Sequence, residues 1–159
     1  MPKSPCDRHL HSRFIASYQE WLFRRFEFPD SYRDPRELHR LLRERGMDFV
    51  TITDHDTIDG NLEIAELEGT FISEEVTTSF PTDPCKIHLL VWGITEAQHA
   101  EIAGRRENIF DLQSYLKSEA IAHSVAHPRY SINGKLETTP LEQLTTLFNH
   151  FQGTQGPRT

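Results

Sequence analysis

The chain has 159 residues, with 17 Lys plus Arg against 24 Asp plus Glu, which gives a formal net charge of −7 at pH 7. This length suits one domain, so residues 1–159 are treated as a single unit. The acidic balance supplies no basic surface for nucleic acid, and no apolar run approaches the roughly 20 residues of a membrane span. The only cysteines, Cys6 and Cys85, predict no disulfide framework and favour a reducing, cytoplasmic setting.

Short β-rich runs alternate with helical runs along the chain. The runs that read as strands are Cys6–His11, Phe49–Thr53, Thr70–Thr77, Ile87–Trp92, Ile121–Ala126 and Asn149–Gly153. Strands that alternate with helices predict a parallel sheet, with the helices on its faces.

Helix signals lie between these runs. Asp34-Pro35 reads as an N-cap followed by a proline at the first helical position, and Gly46 is a natural stop. The segment Ser12–Arg33 is predicted to form a helix and a loop over the mouth of the sheet. Further helices are predicted from capping patterns at Thr95–Gln98 and Thr139–Glu142, an apolar stripe at Ile109, Leu112, Tyr115 and Leu116, and a short run at Asp59–Leu67.

The nine histidines carry the strongest functional signal. Five successive strand-like runs each deliver a His or Glu: His9 with His11, then His55, Glu75, His88 and His127. In parallel α/β folds the carboxyl ends of the strands form active sites. Imidazole and carboxylate together suit Zn, Mn or Fe, and such metals generate hydroxide and polarise phosphoryl or carbonyl oxygens. Asp54 and Asp56 flank His55 and are predicted to orient it as hydrogen-bond acceptors.

Each part of this pattern also has a plain structural interpretation. A His-x-His pair is often a polar strand end, an Asp-His-Asp run is often a turn, and Glu75 alone could lie on an edge strand. His88 lies among Ile, Leu and Val, so alone it favours a core histidine. His123 shares its strand face with His127, and His127 is preferred because Pro128 places it at the rim. The joint pattern favours metal binding, whereas His39, His99 and His150 are expected to be solvated or structural.

Three short motifs and two single residues resemble, in order and spacing, the PHP (polymerase and histidinol phosphatase) superfamily. They are Asp7–Ser12, Thr51–Thr57, Glu75, His88 and Ala126–Pro128. The resemblance implies an α/β fold, a distorted TIM-like (β/α)7 barrel, of which this chain would hold about six strands, or the N-terminal two-thirds. It also implies a metal-dependent phosphoesterase, or the PHP domain of a bacterial DNA polymerase.

The resemblance further implies roles for individual residues. Glu75, His88 and His127 would form one metal site, and His9, His11 and a shared Glu75 most of a second. His55 would contribute to a third site, and Glu75 and His55 would be the catalytic residues. Two or more divalent ions, Zn, Mn or Fe, would hold a bridging hydroxide that attacks the phosphorus of a small phosphorylated substrate.

Three hypotheses follow from these residues. The first is a phosphoesterase in which Arg13 and Arg129 hold the substrate phosphate, although both could equally be solvated rim charges. The second is a non-catalytic, metal-stabilised PHP-like domain or an inactive fragment of a larger protein, because no Asp-x-His pair of the kind expected in the family follows His127. The third is an ordinary α/β fold with structural histidines. An incomplete barrel also favours self-association or fusion to a further domain.

Overall fold

The computed structural model describes residues 6–7, 34–127 and 138–152. Its secondary structure alternates between strands and helices, with one strand-to-strand connection that lacks a helix. In chain order the elements are β1 (Cys6–Asp7), α1 (Pro35–Glu44), β2 (Phe49–Val50), α2 (Asp59–Leu62), β3 (Ser73–Phe80), β4 (Asp83–Trp92), α3 (Glu96–Arg105), α4 (Ile109–Ser118), β5 (Ala122–Val125) and α5 (Thr138–Leu147).

The strands lie side by side in sequence order, and one of them runs in the reverse direction. β1 pairs with β2 in parallel, whereas β3, β4 and β5 form an antiparallel sheet. Single parallel bridges link Val50 to Thr70, His55 to Glu75 and Val125 to Phe151. The prediction that all strands are parallel is therefore wrong for β4. Within the described residues, the predicted strand Asn149–Gly153 contributes a single bridge, at Phe151.

The reversal of β4 comes from a tight hairpin. β3 extends to Phe80, β4 begins at Asp83, and Pro81 and Thr82 form the turn between them. Proline and aspartate favour turns, and the Asp83 carboxylate accepts a hydrogen bond from the Cys85 backbone at 2.8 Å. β3 keeps the predicted length but lies three residues further along the chain than Thr70–Thr77, and β4 begins at Asp83 rather than Ile87, because the sequence interpretation gave these turn residues no role.

The local helix signals are confirmed for α1, α3 and α4, whereas α5 begins at Thr138, before the predicted cap Thr139. The Asp34 carboxylate accepts hydrogen bonds from the Arg36 and Glu37 backbones, at 2.9 and 3.4 Å, and begins α1. Thr95 and Gln98 form a reciprocal capping box at the start of α3. α2 ends at Leu62, earlier than the predicted Leu67, and the following residues form turns.

The β3–β4 sheet has two different faces. On its outer face, Val76, Leu89 and Val91 are almost completely buried in the main hydrophobic core, together with residues of α3, α4 and α5. Alternation along the strands puts Glu75 and His88 on the opposite, inner face. The helices therefore cover one side of the sheet, and the other side carries the polar residues of the predicted site.

These elements form a mixed α/β fold with a small antiparallel sheet. The distorted seven-stranded barrel stays a prediction, and so do the helix and loop at Ser12–Arg33, which lie outside the described residues. Among the described helices, none combines the length and apolar character needed to cross a bilayer.

Candidate metal centre

The parallel bridge between His55 and Glu75 places these two residues side by side. The Asp56 backbone N–H donates to the Glu75 carbonyl, and the Glu75 N–H donates to the Asp54 carbonyl, both at 3.0 Å. Bridged residues in neighbouring strands project their side chains to the same face. The backbone therefore fixes the spacing of this His–Glu pair before any side-chain contact is considered.

Asn61 holds the same two segments together from within the core. Its amide nitrogen donates to the carbonyls of Ile52 and Ser73, at 2.5 and 2.7 Å. Its oxygen accepts from the Ile52 backbone and the Thr51 hydroxyl, both at 3.1 Å. Asn61 is 2% exposed, so these bonds replace water at a site where an unpaired amide would be costly.

Three imidazoles surround the Glu75 carboxylate. His88 Nδ1 lies 2.8 Å from Glu75 Oε1, His127 Nε2 lies 3.0 Å from the same oxygen, and His55 Nε2 lies 3.8 Å from Oε2. The His88 ring meets the His55 and His127 rings edge-on, with centroid distances of 4.7 and 5.1 Å. Glu75, His55 and His88 are buried, whereas the His127 side chain is 35% exposed.

The ligand atoms of His55, Glu75 and His88 lie close enough together to hold one cation. One ligand atom from each of the three lies within 4.8 Å of the other two. His88 Nδ1 is close to the carboxylate, yet neither nitrogen of its buried ring has a hydrogen-bond partner among the residues that the structure describes. Buried polar atoms are normally hydrogen-bonded, and neutral imidazole with carboxylate is a common ligand set for divalent transition metals. These residues therefore form a candidate metal-binding group.

His127 reaches this face through an unusual backbone conformation. The register pairs Leu90 with Ser124, so alternation places Ala126 on the inner face and His127 on the outer one. His127 has a φ of 26°, outside the strand conformation, and its ring lies against Glu75. His123 stays on the outer face, with its ring centroid 5.7 Å from that of Phe148. The sequence argument that both histidines share one face is therefore wrong, because the chain turns after β5.

Glu74 lies on the outer face and has its own partner. Its Oε1 is 3.0 Å from His99 Nδ1, on α3. Burial raises the pKa of Glu74, and the hydrogen bond to Glu74 raises the pKa of His99. The consecutive residues Glu74 and Glu75 of β3 thus make their side-chain contacts on opposite faces of the sheet.

The remaining predicted site residues divide into two groups. His9, His11, Arg13 and Arg129 lie outside the described residues. Asp54 is buried and accepts from Glu75 through its backbone carbonyl. Asp56 Oδ1 accepts from the Thr77 backbone at 2.7 Å and pairs with Arg106 Nη1 at 3.0 Å. The predicted role of both aspartates as acceptors for the His55 ring stays a prediction.

Sequence reasoning missed Asn61, Glu74 and Arg106. His99 and Arg106 are seven residues apart with apolar Ile102 between them, a helical spacing that could have suggested a shared face. For Asn61 no comparable pattern exists, since its partners are backbone groups of two distant segments.

No protein-family model matches the chain. An uncharacterised protein of Methanocaldococcus jannaschii is 36% identical over 73 residues, which are 46% of this chain. The chain spans about two fifths of the length of this curated relative, 41%.

Two solved structures share the fold. One comes from Bifidobacterium adolescentis and bears a name that proposes a metal-dependent phosphoesterase. It has a TM-score of 0.56 and 14% identity over 95% of this chain and 77% of its own. The other is an amidohydrolase from Chromobacterium violaceum with bound sulfate and no metal. It has a TM-score of 0.57 and 13% identity over 90% of this chain and 72% of its own. At these identities the likeness concerns the fold alone, which is shared with proteins named as hydrolases.

Proposed function

We propose that this chain forms a PHP-type, metal-dependent phosphoesterase domain that hydrolyses a small phosphorylated substrate. The observation that carries the proposal is the group formed by His55, Glu75 and His88, three buried residues with ligand atoms within 4.8 Å of one another. The resemblance of the surrounding motifs to the PHP superfamily supports the same chemistry, as does a neighbour named for phosphoesterase activity.

The residues of the site have distinct tasks in this proposal. Glu75 supplies the negative charge, and the imidazoles of His55 and His88 supply neutral nitrogen ligands. His127, which is more exposed, completes the group from the rim. A divalent ion held there supplies a Lewis acid and lowers the pKa of water.

The residues outside the described ranges extend the proposal. His9 and His11 add ligands for a second ion, and Arg13 and Arg129 bind the substrate phosphate through their planar guanidinium groups. The ions proposed are Zn, Mn or Fe. The partner is a small phosphorylated molecule, and the domain acts in the cytoplasm.

Phosphate release tests this proposal. The full chain is assayed with a phosphomonoester and a phosphodiester after loading with Mn²⁺ or Zn²⁺, beside His88→Ala and the control His39→Ala, which removes a half-buried histidine of α1 whose ring contacts the Glu68 carbonyl. The proposal predicts metal-dependent turnover in the wild type and in His39→Ala, and its loss in His88→Ala. Turnover that is unchanged in His88→Ala contradicts it. Metal-dependent thermal stabilisation without turnover instead supports the non-catalytic, metal-stabilised domain.

A further inference from the structure

Helix α3 contacts two residues that each adjoin a member of the candidate metal group. Arg106, directly after α3, pairs with Asp56, the residue after His55. His99, within α3, bonds to Glu74, the residue before Glu75. Both contacts measure 3.0 Å. The helix thus reaches both ligand-bearing segments from the outer face of the sheet.

The geometry of α3 allows both contacts at once. His99, Ile102 and Arg106 follow the i, i+3, i+7 spacing of one helix face, and Arg106 keeps helical backbone angles (φ −63°, ψ −20°). Ile102 is 1% exposed and lies in the main core between the two polar contacts. The packing of Ile102 fixes the distance between α3 and the sheet. His99 and Arg106 therefore have little freedom to move with Glu74 or Asp56 if these are displaced.

Asp56 is the residue through which this restraint reaches His55. It has a φ of 57°, a left-handed conformation that aspartate adopts more readily than most residues. Its Oδ1 accepts from the Thr77 backbone and from Arg106, while its own N–H donates to Glu75. Asp56 therefore contacts Thr77, Glu75 and Arg106. Of these three residues, only Arg106 lies outside the two segments that carry His55 and Glu75.

We propose that Arg106 is a positioning residue for the metal centre: through Asp56 it holds His55 at the spacing from Glu75 that a divalent ion requires, with His99 holding Glu74 from the same helix. This inference rests on the proposed metal centre. Residues that support metal ligands without touching the ion typically change metal affinity by about 10–100-fold. Arg106 acts through Asp56, so its loss is expected to weaken binding by about tenfold, the lower end of that range.

The test uses Co²⁺ alone as the probe, with titrations followed by the visible absorption spectrum. Arg106→Gln is compared with Arg106→Lys, which keeps a charge for Asp56, and with Arg105→Gln. Arg105 is a matched control because it contacts Glu101 and stacks on Tyr115, away from the site. We expect about tenfold weaker Co²⁺ binding and an altered spectrum at saturation in Arg106→Gln, with near-native values in the other two variants.

Each outcome bears on a separate claim. Wild-type protein that fails to bind Co²⁺ overturns the proposed metal centre and this inference with it. Wild-type binding with equal affinity and spectrum in Arg106→Gln and Arg105→Gln overturns the inference alone. Should Arg106→Gln fail to fold, Asp56→Asn replaces it, because asparagine keeps the acceptor for Thr77 and tolerates the left-handed backbone but loses the charge that pairs with Arg106. A native Co²⁺ affinity in Asp56→Asn likewise overturns the inference.

Discussion

Glu74 and Glu75 are consecutive, both about 1% exposed or less, and yet they have opposite surroundings. Glu74 faces the helices, where it bonds to His99 near the charge of Arg106. Glu75 faces inward, where the nitrogen atoms of three histidines lie 2.8–3.8 Å from its oxygens. The Glu74 carboxylate is paired with one histidine, His99. The Glu75 carboxylate has three histidine rings around it, more than a carboxylate needs as hydrogen-bond partners.

One strand can therefore carry a structural carboxylate beside a candidate metal ligand. Alternation sends successive side chains to opposite faces, so a buried ion pair and a candidate metal ligand can adjoin in sequence without sharing partners. The outer pair then links the strand to α3, and the inner carboxylate belongs to the candidate metal group. The predictions below separate these two roles.

The largest expected difference is in metal affinity. Glu75→Gln removes the only negative charge of the His55, Glu75 and His88 group, so the Kd for Co²⁺ or Zn²⁺ is expected to rise more than about 100-fold, beyond the range for supporting residues. Glu74→Gln keeps that charge and is expected to weaken binding by less than about tenfold. Isothermal titration calorimetry on both variants measures this difference. Equal losses in the two variants would remove the distinction between the faces.

The second prediction concerns the hydrogen bonds beneath the inner face. Asn61→Ala leaves four bonds unmade in a buried site, and we expect a loss of about 3 kcal/mol in the free energy of unfolding. Asn108→Ala, which removes the N-cap of α4, is the matched control and is expected to cost about 1 kcal/mol. Urea unfolding of both variants measures the two values. A cost for Asn61→Ala no greater than for Asn108→Ala would show that Asn61 does not hold the two segments together.

The smallest expected effect is the pH dependence of the outer pair. The pKa of His99 is raised above 6.5 by its hydrogen bond to Glu74, with Asp59 adding to the shift and Arg106 opposing it. A raised folded-state pKa gives stability that is complete below about pH 6.5 and is lost as the pH rises through the folded value. The raised pKa of Glu74 acts in the same direction at lower pH, since the folded state again binds more protons.

Melting temperatures measured with chelator between pH 6 and 8 test this sign. The wild type should lose more stability over that interval than His99→Gln, whose side chain does not titrate. A parallel decline in the two proteins would mean that the Glu74–His99 pair contributes no pH-dependent stability.

Local signals predicted the helices well and strand direction less well. Asp34-Pro35 and the Thr95–Gln98 box are complete within a few residues, so the sequence alone predicted where α1 and α3 begin. The direction of β4 depends on the short turn at Pro81 and Thr82, and the general alternation of strands and helices favoured the wrong answer. His127 shows the same limit. Strict alternation would put its side chain on the outer face, whereas its φ of 26° turns the side chain toward the inner face.

Local patterns predicted which residues are candidate ligands, whereas their distances from one another depend on the tertiary fold. His55, Glu75 and His88 were candidates because each falls on a successive strand-like run. The family resemblance implied one metal site for Glu75, His88 and His127 and another for His55. In the structure, ring nitrogens of all three histidines lie within 3.8 Å of the Glu75 carboxylate. The assignment of these ligands to separate ions stays a prediction. The contacts from α3 depend on tertiary packing, which no local pattern contains.

Both proposals depend on the binding of a divalent metal ion at the inner face of this sheet. This binding is tested by the metal content of tag-free protein purified without chelator, measured by elemental mass spectrometry for the wild type, His88→Ala and the control His39→Ala, whose half-buried histidine lies on α1. We expect near-stoichiometric Zn, Mn or Fe in the wild type and in His39→Ala, and its loss in His88→Ala. No bound metal in the wild type, or equal metal in all three proteins, would contradict this expectation.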